Sequence, residues 1–129
     1  MPKPDLMGMV VRDMAKTLCF YRRLGMQIPE DADQEGHVEV TLPGGFRIAW
    51  DTLEIIRSFH PEYQLPETPQ PGLAFLCDSP AEVDRLYGEL VAEGYHGHLE
   101  PWDAVWGQRY AVVVDPDNRL VDLFARLEG

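Results

Sequence analysis

The feature that most constrains this chain is an internal repetition. Residues 5–12 (DLMGMVVR) form a short apolar run closed by Asp13, and residues 72–77 form another that ends at Asp78. Apolar runs of this length are the pattern of buried strands. Each is followed by a helical pattern that stops at a glycine. Met14, Leu18, Tyr21 and Leu24 recur at helical spacing over 14–24 before Gly25, and Val83, Leu86, Tyr87, Leu90 and Val91 do so before Gly94. Ser79-Pro80-Ala81-Glu82 is a capping box with proline at the first helical position, which fixes where the second helix starts. Alternating segments come next. Over 37–42, Val38, Val40 and Leu42 share one face and His37, Glu39 and Thr41 the other. Gly44-Gly45 then turns the chain into a second alternating strand over 46–51, which predicts a hairpin. The second half predicts strands at about 95–100, 109–114 and 119–126, the last two joined by Asp115-Pro116-Asp117-Asn118, whose residues suit a type I turn.

Between the halves, residues 60–71 carry four prolines and are expected to cross as an extended segment. The order β-α-β-β-β is therefore expected twice, in modules of about 4–58 and 70–127 within one domain, 1–129. Neither half holds enough apolar surface to stand alone, and repeated units bury their faces against one another. The expected fold class is α+β, with two βαβββ modules whose sheets curl into one cup-shaped mixed sheet around a cleft.

Composition then removes whole classes of function. Twenty-two acidic against eleven basic residues give a formal charge of −11, which repels a phosphate backbone, so nucleic acid is excluded as a partner. No apolar run approaches the ~18–20 residues of a membrane span, and MPKPDL lacks the apolar stretch of a signal peptide. The cytoplasm is the expected location and a membrane is not an expected partner. Cys19 and Cys77 match no metal or redox spacing and are expected as buried, reduced thiols rather than nucleophiles. No Ser-His-Asp or Cys-His constellation and no glycine-rich phosphate loop is legible.

The duplicated module, with DMAKTLCFYRRLG at 13–25 and DPDNRLVDLF at 115–124, resembles the vicinal oxygen chelate superfamily of glyoxalases, extradiol dioxygenases, fosfomycin-modifying enzymes and bleomycin-binding resistance proteins. The segments GGFRIAWDT at 44–52 and GYHGHLEPWDAVWGQRYA at 94–111 are similar to its drug-sequestering branch, and most of all to mitomycin-binding resistance proteins. Carried over position by position, the superfamily's metal-ligand places fall on Leu6, about Ala49, Gly72 and Asp122. Leucine, alanine and glycine cannot coordinate a cation, and a single carboxylate is a poor site. The resemblance therefore implies no metal and no cofactor at the inherited centre. Small residues at Ala49, Gly72 and Ala74 are expected to leave a hollow there, suited to a flat organic molecule.

Eight residues are candidates to line that hollow. Trp102 and Trp106 lie in PWDAVWGQ, which reads as a loop because of Pro101 and Gly107, and their rings can stack on a planar guest or plug the core. Asp51 shares a strand face with Ala49 and can accept a hydrogen bond, or cap the helical segment 53–58, where Thr52 is an equal candidate. Trp50 points the other way, into the core. Asp122 and Phe124, with Leu120, occupy the inner face of the last strand, as a polar contact and an apolar wall. Glu39 and His37 can line the rim or simply be wet. Tyr110 offers ring and hydroxyl together, or packs as an ordinary buried tyrosine. His96, His98 and Glu100 form a row that could bind zinc if the strand is regular, though the glycines of GYHGHLEP suggest a bulge.

The function expected from the resemblance is binding without catalysis: a planar aromatic or quinone-type antibiotic, mitomycin-like, is taken up and sequestered, and resistance follows. A homodimer is expected on the same ground. The alternatives are a metal-dependent lyase or dioxygenase built on Asp122 with His96, His98 and Glu100, or an accessory protein that binds a biosynthetic intermediate.

Overall fold

The computed structural model describes residues 1–128. The chain separates into two compact units, Met1–Leu65 and the remainder from Pro66. In the first unit, strands β1 (Leu6–Val11), β2 (His37–Thr41) and β3 (Arg47–Thr52) form a sheet of order β1-β3-β2, with β1 parallel and β2 antiparallel to the central β3. Helix α1 (Met14–Arg23) follows β1, a short 3-10 turn spans Glu30–Gln34, and α2 (Leu53–Phe59) follows β3. In the second unit β4 (Gln70–Leu76), β5 (His96–Ala104), β6 (Gln108–Val114) and β7 (Arg119–Arg126) form a sheet of order β4-β7-β6-β5, with helix α3 (Pro80–Ala92) between β4 and β5.

Alternation decides what each sheet buries. Met9, Val11, Ile48, Trp50 and Val38 lie on one face of the first sheet and are all buried. They share the core of that unit with Met14, Leu18, Phe20 and Tyr21 from α1. Trp50 is fully buried and its ring sits 5.6 Å from that of Tyr21, which is its expected place. The second sheet repeats the device. Ala111, Val113, Val121, Leu123 and Ala125 are buried on the face that carries α3, together with Val83 and Leu90 of the helix. Burying a side chain of this size contributes about 1.5–3 kcal/mol, so these two layers supply most of the drive to fold.

Local signals act where the sequence places them. Asp13 caps α1 through the Lys16 amide, Thr52 rather than Asp51 caps α2 through the Ile55 amide, and Ser79 caps α3 through the Glu82 amide. Gly44 and Gly45 both take positive φ, as the β2–β3 hairpin requires. At the 115–118 turn the Asp115 carboxylate accepts the amides of Asp117 and Arg119 at 2.8 and 2.9 Å, and Asn118 adopts φ 68°.

Several expectations are corrected. Among the described residues the first unit has three strands and the second four, so only the second follows the full β-α-β-β-β order. Trp102 lies on β5, not in a loop, because β5 runs on to Ala104. Pro101 is tolerated there because β5 is an edge strand, which need not donate on its outer side. Cys19 is exposed on α1, whereas Cys77 is buried as expected.

Candidate functional site

The face of the second sheet opposite α3 carries most of the predicted site. The register sets Trp102 beside Tyr110, Tyr110 beside Phe124, and Phe124 beside Leu76. One row of large apolar side chains thus crosses all four strands. Trp106, in the β5–β6 turn, packs edge-on against both neighbours, its ring centre 5.6 Å from Trp102 and 5.4 Å from Tyr110. Each such pair is worth about 0.5–1.5 kcal/mol beyond simple burial, which holds the rings in place. The Trp106 Nε1–H donates to Gln108 Oε1 at 2.8 Å and fixes the indole plane. The cluster is nonetheless open to solvent, with Trp102 at 38%, Trp106 at 56% and Leu76 at 66% exposure. Trp102 and Trp106 are therefore not core residues.

The next row on the same face places Asp122 between Ala74 of β4 and Val112 of β6. Burial raises the Asp122 carboxyl pKa, and its hydrogen bond with the Tyr110 phenol opposes that rise. The Tyr110 pKa is raised as well, by burial first and then by the Asp122 charge. Both groups are half-buried, as is Phe124.

On the first unit, Leu6, Gly8, Ala49 and Glu39 share the face away from α1 with Arg47, His37 and Asp51. The charged members pair along the sheet. His37 Nδ1 meets Asp51 Oδ1 at 2.6 Å and its Nε2 meets Glu39 Oε2 at 2.8 Å. Arg47 then donates to Glu39 at 2.7 Å and to Asp5 at 2.5 Å. Both imidazole nitrogens face acceptor-only carboxylates, so the ring must be the imidazolium. Its pKa is raised accordingly, by the Glu39 hydrogen bond first and the Asp51 bond second. This ladder joins three predicted residues, His37, Glu39 and Asp51, and adds two that the sequence reading missed. Arg47 was findable, since it alternates with Ala49 and Asp51; Asp5, forty-two positions away, was not. Gln108, which sets the Trp106 ring, carried no sequence signal either.

Two expectations about the inherited centre change. The smallness of Gly72 does not make a hollow: a Cβ at that position would lie 2.6 Å from the Leu120 carbonyl oxygen. The register slips between Pro71 and Ala74, which breaks the alternation that placed Gly72 and Ala74 on one face. Two hollows of about 490 and 460 Å³ lie among other residues, one between Arg12–Ala15, Asp33–Gly36, Thr52, Glu54 and Ile55, the other beside Leu76–Pro80 and Arg126. The His96-His98-Glu100 row is also broken. Register shifts fall between Gly97 and Leu99 and between Leu99 and Trp102, and the Glu100 charge acts on Tyr87 of α3. Leu6, Ala49 and Gly72 bring no lone pair, Gly72 leaves no room for a longer side chain, and of the four inherited places Asp122 alone carries a donor. The residues do not fit that ion.

The sequence profile of the Glyoxalase/Bleomycin resistance protein/Dioxygenase superfamily matches residues 3–123. The chain belongs to that superfamily. Its fold is shared with a glyoxalase/bleomycin resistance protein/dioxygenase from Nocardioides, at 26% identity and TM-score 0.70, covering 100% of this chain and 86% of that one. A glyoxalase/bleomycin resistance protein/dioxygenase family enzyme from Burkholderia phytofirmans PsJN superposes at TM-score 0.78 with 19% identity, over 98% of this chain and 100% of its own. A protein of unknown function from Agrobacterium tumefaciens str. C58 does so at TM-score 0.68 with 25% identity, over 98% and 95%. No curated protein matches the chain. No helix among the described residues is long and apolar enough to cross a membrane.

Proposed function

We propose that this superfamily member is a binding protein that takes up a planar aromatic or quinone-type antibiotic, mitomycin-like in shape, and sequesters it without making or breaking a bond. The observation that carries this reading is the open row Trp102–Tyr110–Phe124–Leu76 with Trp106 standing beside it. Exposing rings of this size to water is unfavourable, and a flat guest laid against them removes apolar surface at about 25 cal/mol per Å². Rings already braced against one another lose little freedom on binding, so more of that gain appears as affinity. The chemistry of the remaining side chains supports binding over turnover. The Cys77 thiol is pushed up to about 11 by burial, and His37 has both nitrogens engaged by carboxylates. His37, Glu39 and Asp51 contribute to a guest only by exchanging one of these bonds.

The protein acts in the cytoplasm as a homodimer in this reading, and drug resistance follows from lowering the free concentration of the compound. Native mass spectrometry after exposure to a panel of mitomycin-like, bleomycin-like and quinoxaline-type compounds tests both points. The expected result is a two-chain species that retains a flat aromatic compound, with parallel quenching of tryptophan fluorescence. Retention of no compound, with unchanged fluorescence, overturns the reading.

A further inference from the structure

We propose that Asp122 selects the guest, and that the guest of this face is a planar aromatic bearing a cationic, N–H-donating edge. The inference rests on the binding reading above and adds the chemical class of the ligand. Asp122 stands among apolar neighbours: Ala74 and Val112 flank it across the strands, and Leu120 and Phe124 precede and follow it on its own face of β7. The polar group beside it is the Tyr110 hydroxyl, which donates one hydrogen bond. An ionised carboxylate has about four acceptor sites, and among the described residues the Tyr110 hydroxyl is the side-chain donor that acts on it. Among the described residues Asp122 has no cationic partner. Arg126, on the same face of the strand, stands four positions further along, about 13 Å at ~3.3 Å per residue.

A carboxylate kept half-dry among apolar groups costs free energy unless a partner of opposite charge joins it. The rings one row away supply the rest of such a partner's needs. Trp102, Trp106 and Tyr110 present electron-rich faces that attract a cation as well as a flat hydrocarbon. A guest whose ring system lies on Trp102, Tyr110 and Phe124 brings one edge over Asp122, the adjacent position of the next row. A charged amine or amidine at that edge is met by the carboxylate; a neutral edge leaves the carboxylate stranded and pays for its desolvation.

The test compares two dyes with one ring system, 9-aminoacridine, protonated at neutral pH, and acridine, neutral there. Each is titrated into the full chain at ~0.15 M salt, where the general attraction of the acidic surface is largely screened. Wild type is expected to bind the cation at least about tenfold more tightly than acridine, about 1.4 kcal/mol. Asp122→Asn is expected to erase that preference and leave acridine binding intact, while Glu62→Gln, an exposed carboxylate in the segment after α2, preserves it. In wild type, independently of any variant, the Asp122 side-chain carboxyl carbon resonance is expected to shift with 9-aminoacridine and stay in place with acridine. Equal affinity for the two dyes, or a preference that survives Asp122→Asn or vanishes equally in Glu62→Gln, overturns the selection by Asp122 while the aromatic face still binds. Failure of both dyes to bind wild type removes the binding reading itself.

Discussion

Replacing Gly72 by alanine separates two accounts of why that residue is small. If glycine is there to leave room for a guest, a methyl group costs little stability. The structure gives a different reason. The added Cβ would lie 2.6 Å from the Leu120 carbonyl oxygen, 3.2 Å from Arg119 Cβ and 3.4 Å from the Leu120 carbonyl carbon. Carbon and carbonyl oxygen ordinarily approach to ~3.3–3.6 Å, so the two strands would have to part by about 0.7 Å. They are not free to do so. The Gln70 amide is bonded to the Asn118 carbonyl at 3.0 Å and the Cys77 amide to the Phe124 carbonyl at 2.7 Å, which pins β4 to β7 on both sides of the bulge. Overpacking costs about 1–3 kcal/mol, and a clash against backbone belongs at the upper end. For a chain of this length ~3 kcal/mol corresponds to a fall of about 10 °C in Tm. Gly8→Ala is the matched control, since its Cβ would meet only Leu6 Cδ2 at 3.9 Å. That variant is expected to hold or gain stability by up to ~0.5 kcal/mol. Paired calorimetric melts check both. A Gly72→Ala protein that melts within about 2 °C of wild type refutes the close-approach argument.

Three further outcomes follow from the same geometry. Trp106→Ala is expected to weaken the best aromatic ligand at least tenfold, about 1.4 kcal/mol by titration calorimetry, and an unchanged affinity removes Trp106 from the site. The folded pKa of His37 is raised above its ordinary value, so its contribution to stability is complete below ~6.5 and disappears as pH climbs through the raised value. The gap in Tm between wild type and His37→Gln should therefore be widest in mild acid and close in mild base; because the ring is 48% exposed the gap is small, and one that widens with pH contradicts the imidazolium ladder. Iodoacetamide at about pH 8 is expected to add a single carbamidomethyl group, on exposed Cys19, because the Cys77 thiol is pushed up to about 11 and buried. Two adducts formed at similar rates in the intact mass spectrum would show that Cys77 opens readily.

How far the sequence could be read depended on whether a feature was local. The alternation of Val121, Leu123 and Ala125 with Leu120, Asp122 and Phe124 is a property of consecutive residues, and it sets Asp122 and Phe124 on the face opposite the buried one. The cap at Ser79 and the glycine pair of the hairpin were legible for the same reason, while the cap of α2 stayed open between Asp51 and Thr52 until the backbone chose Thr52. The end of β5 was not, because Pro101 argues against a strand unless the strand is known to be an edge, and that depends on the whole sheet order. Gly72 shows the same limit at the scale of one atom. Its neighbour in the sequence is Pro71, but what fixes it is the Leu120 carbonyl on a strand nearly fifty residues later.

The site divides along that line. Alternation could say that Asp51, Glu39 and His37 share a face, yet it could not say that they bond to one another and to Arg47 instead of waiting for a guest. Three residues chosen as ligand contacts are, in the folded chain, already one another's partners. Asp122 is the reverse case: an acidic residue among apolar ones in the sequence, and still a carboxylate among apolar side chains once β4 and β6 are laid beside it. Folding has satisfied the first set and left the second wanting, and a residue that the fold leaves short of partners is the stronger place to look for what the protein binds.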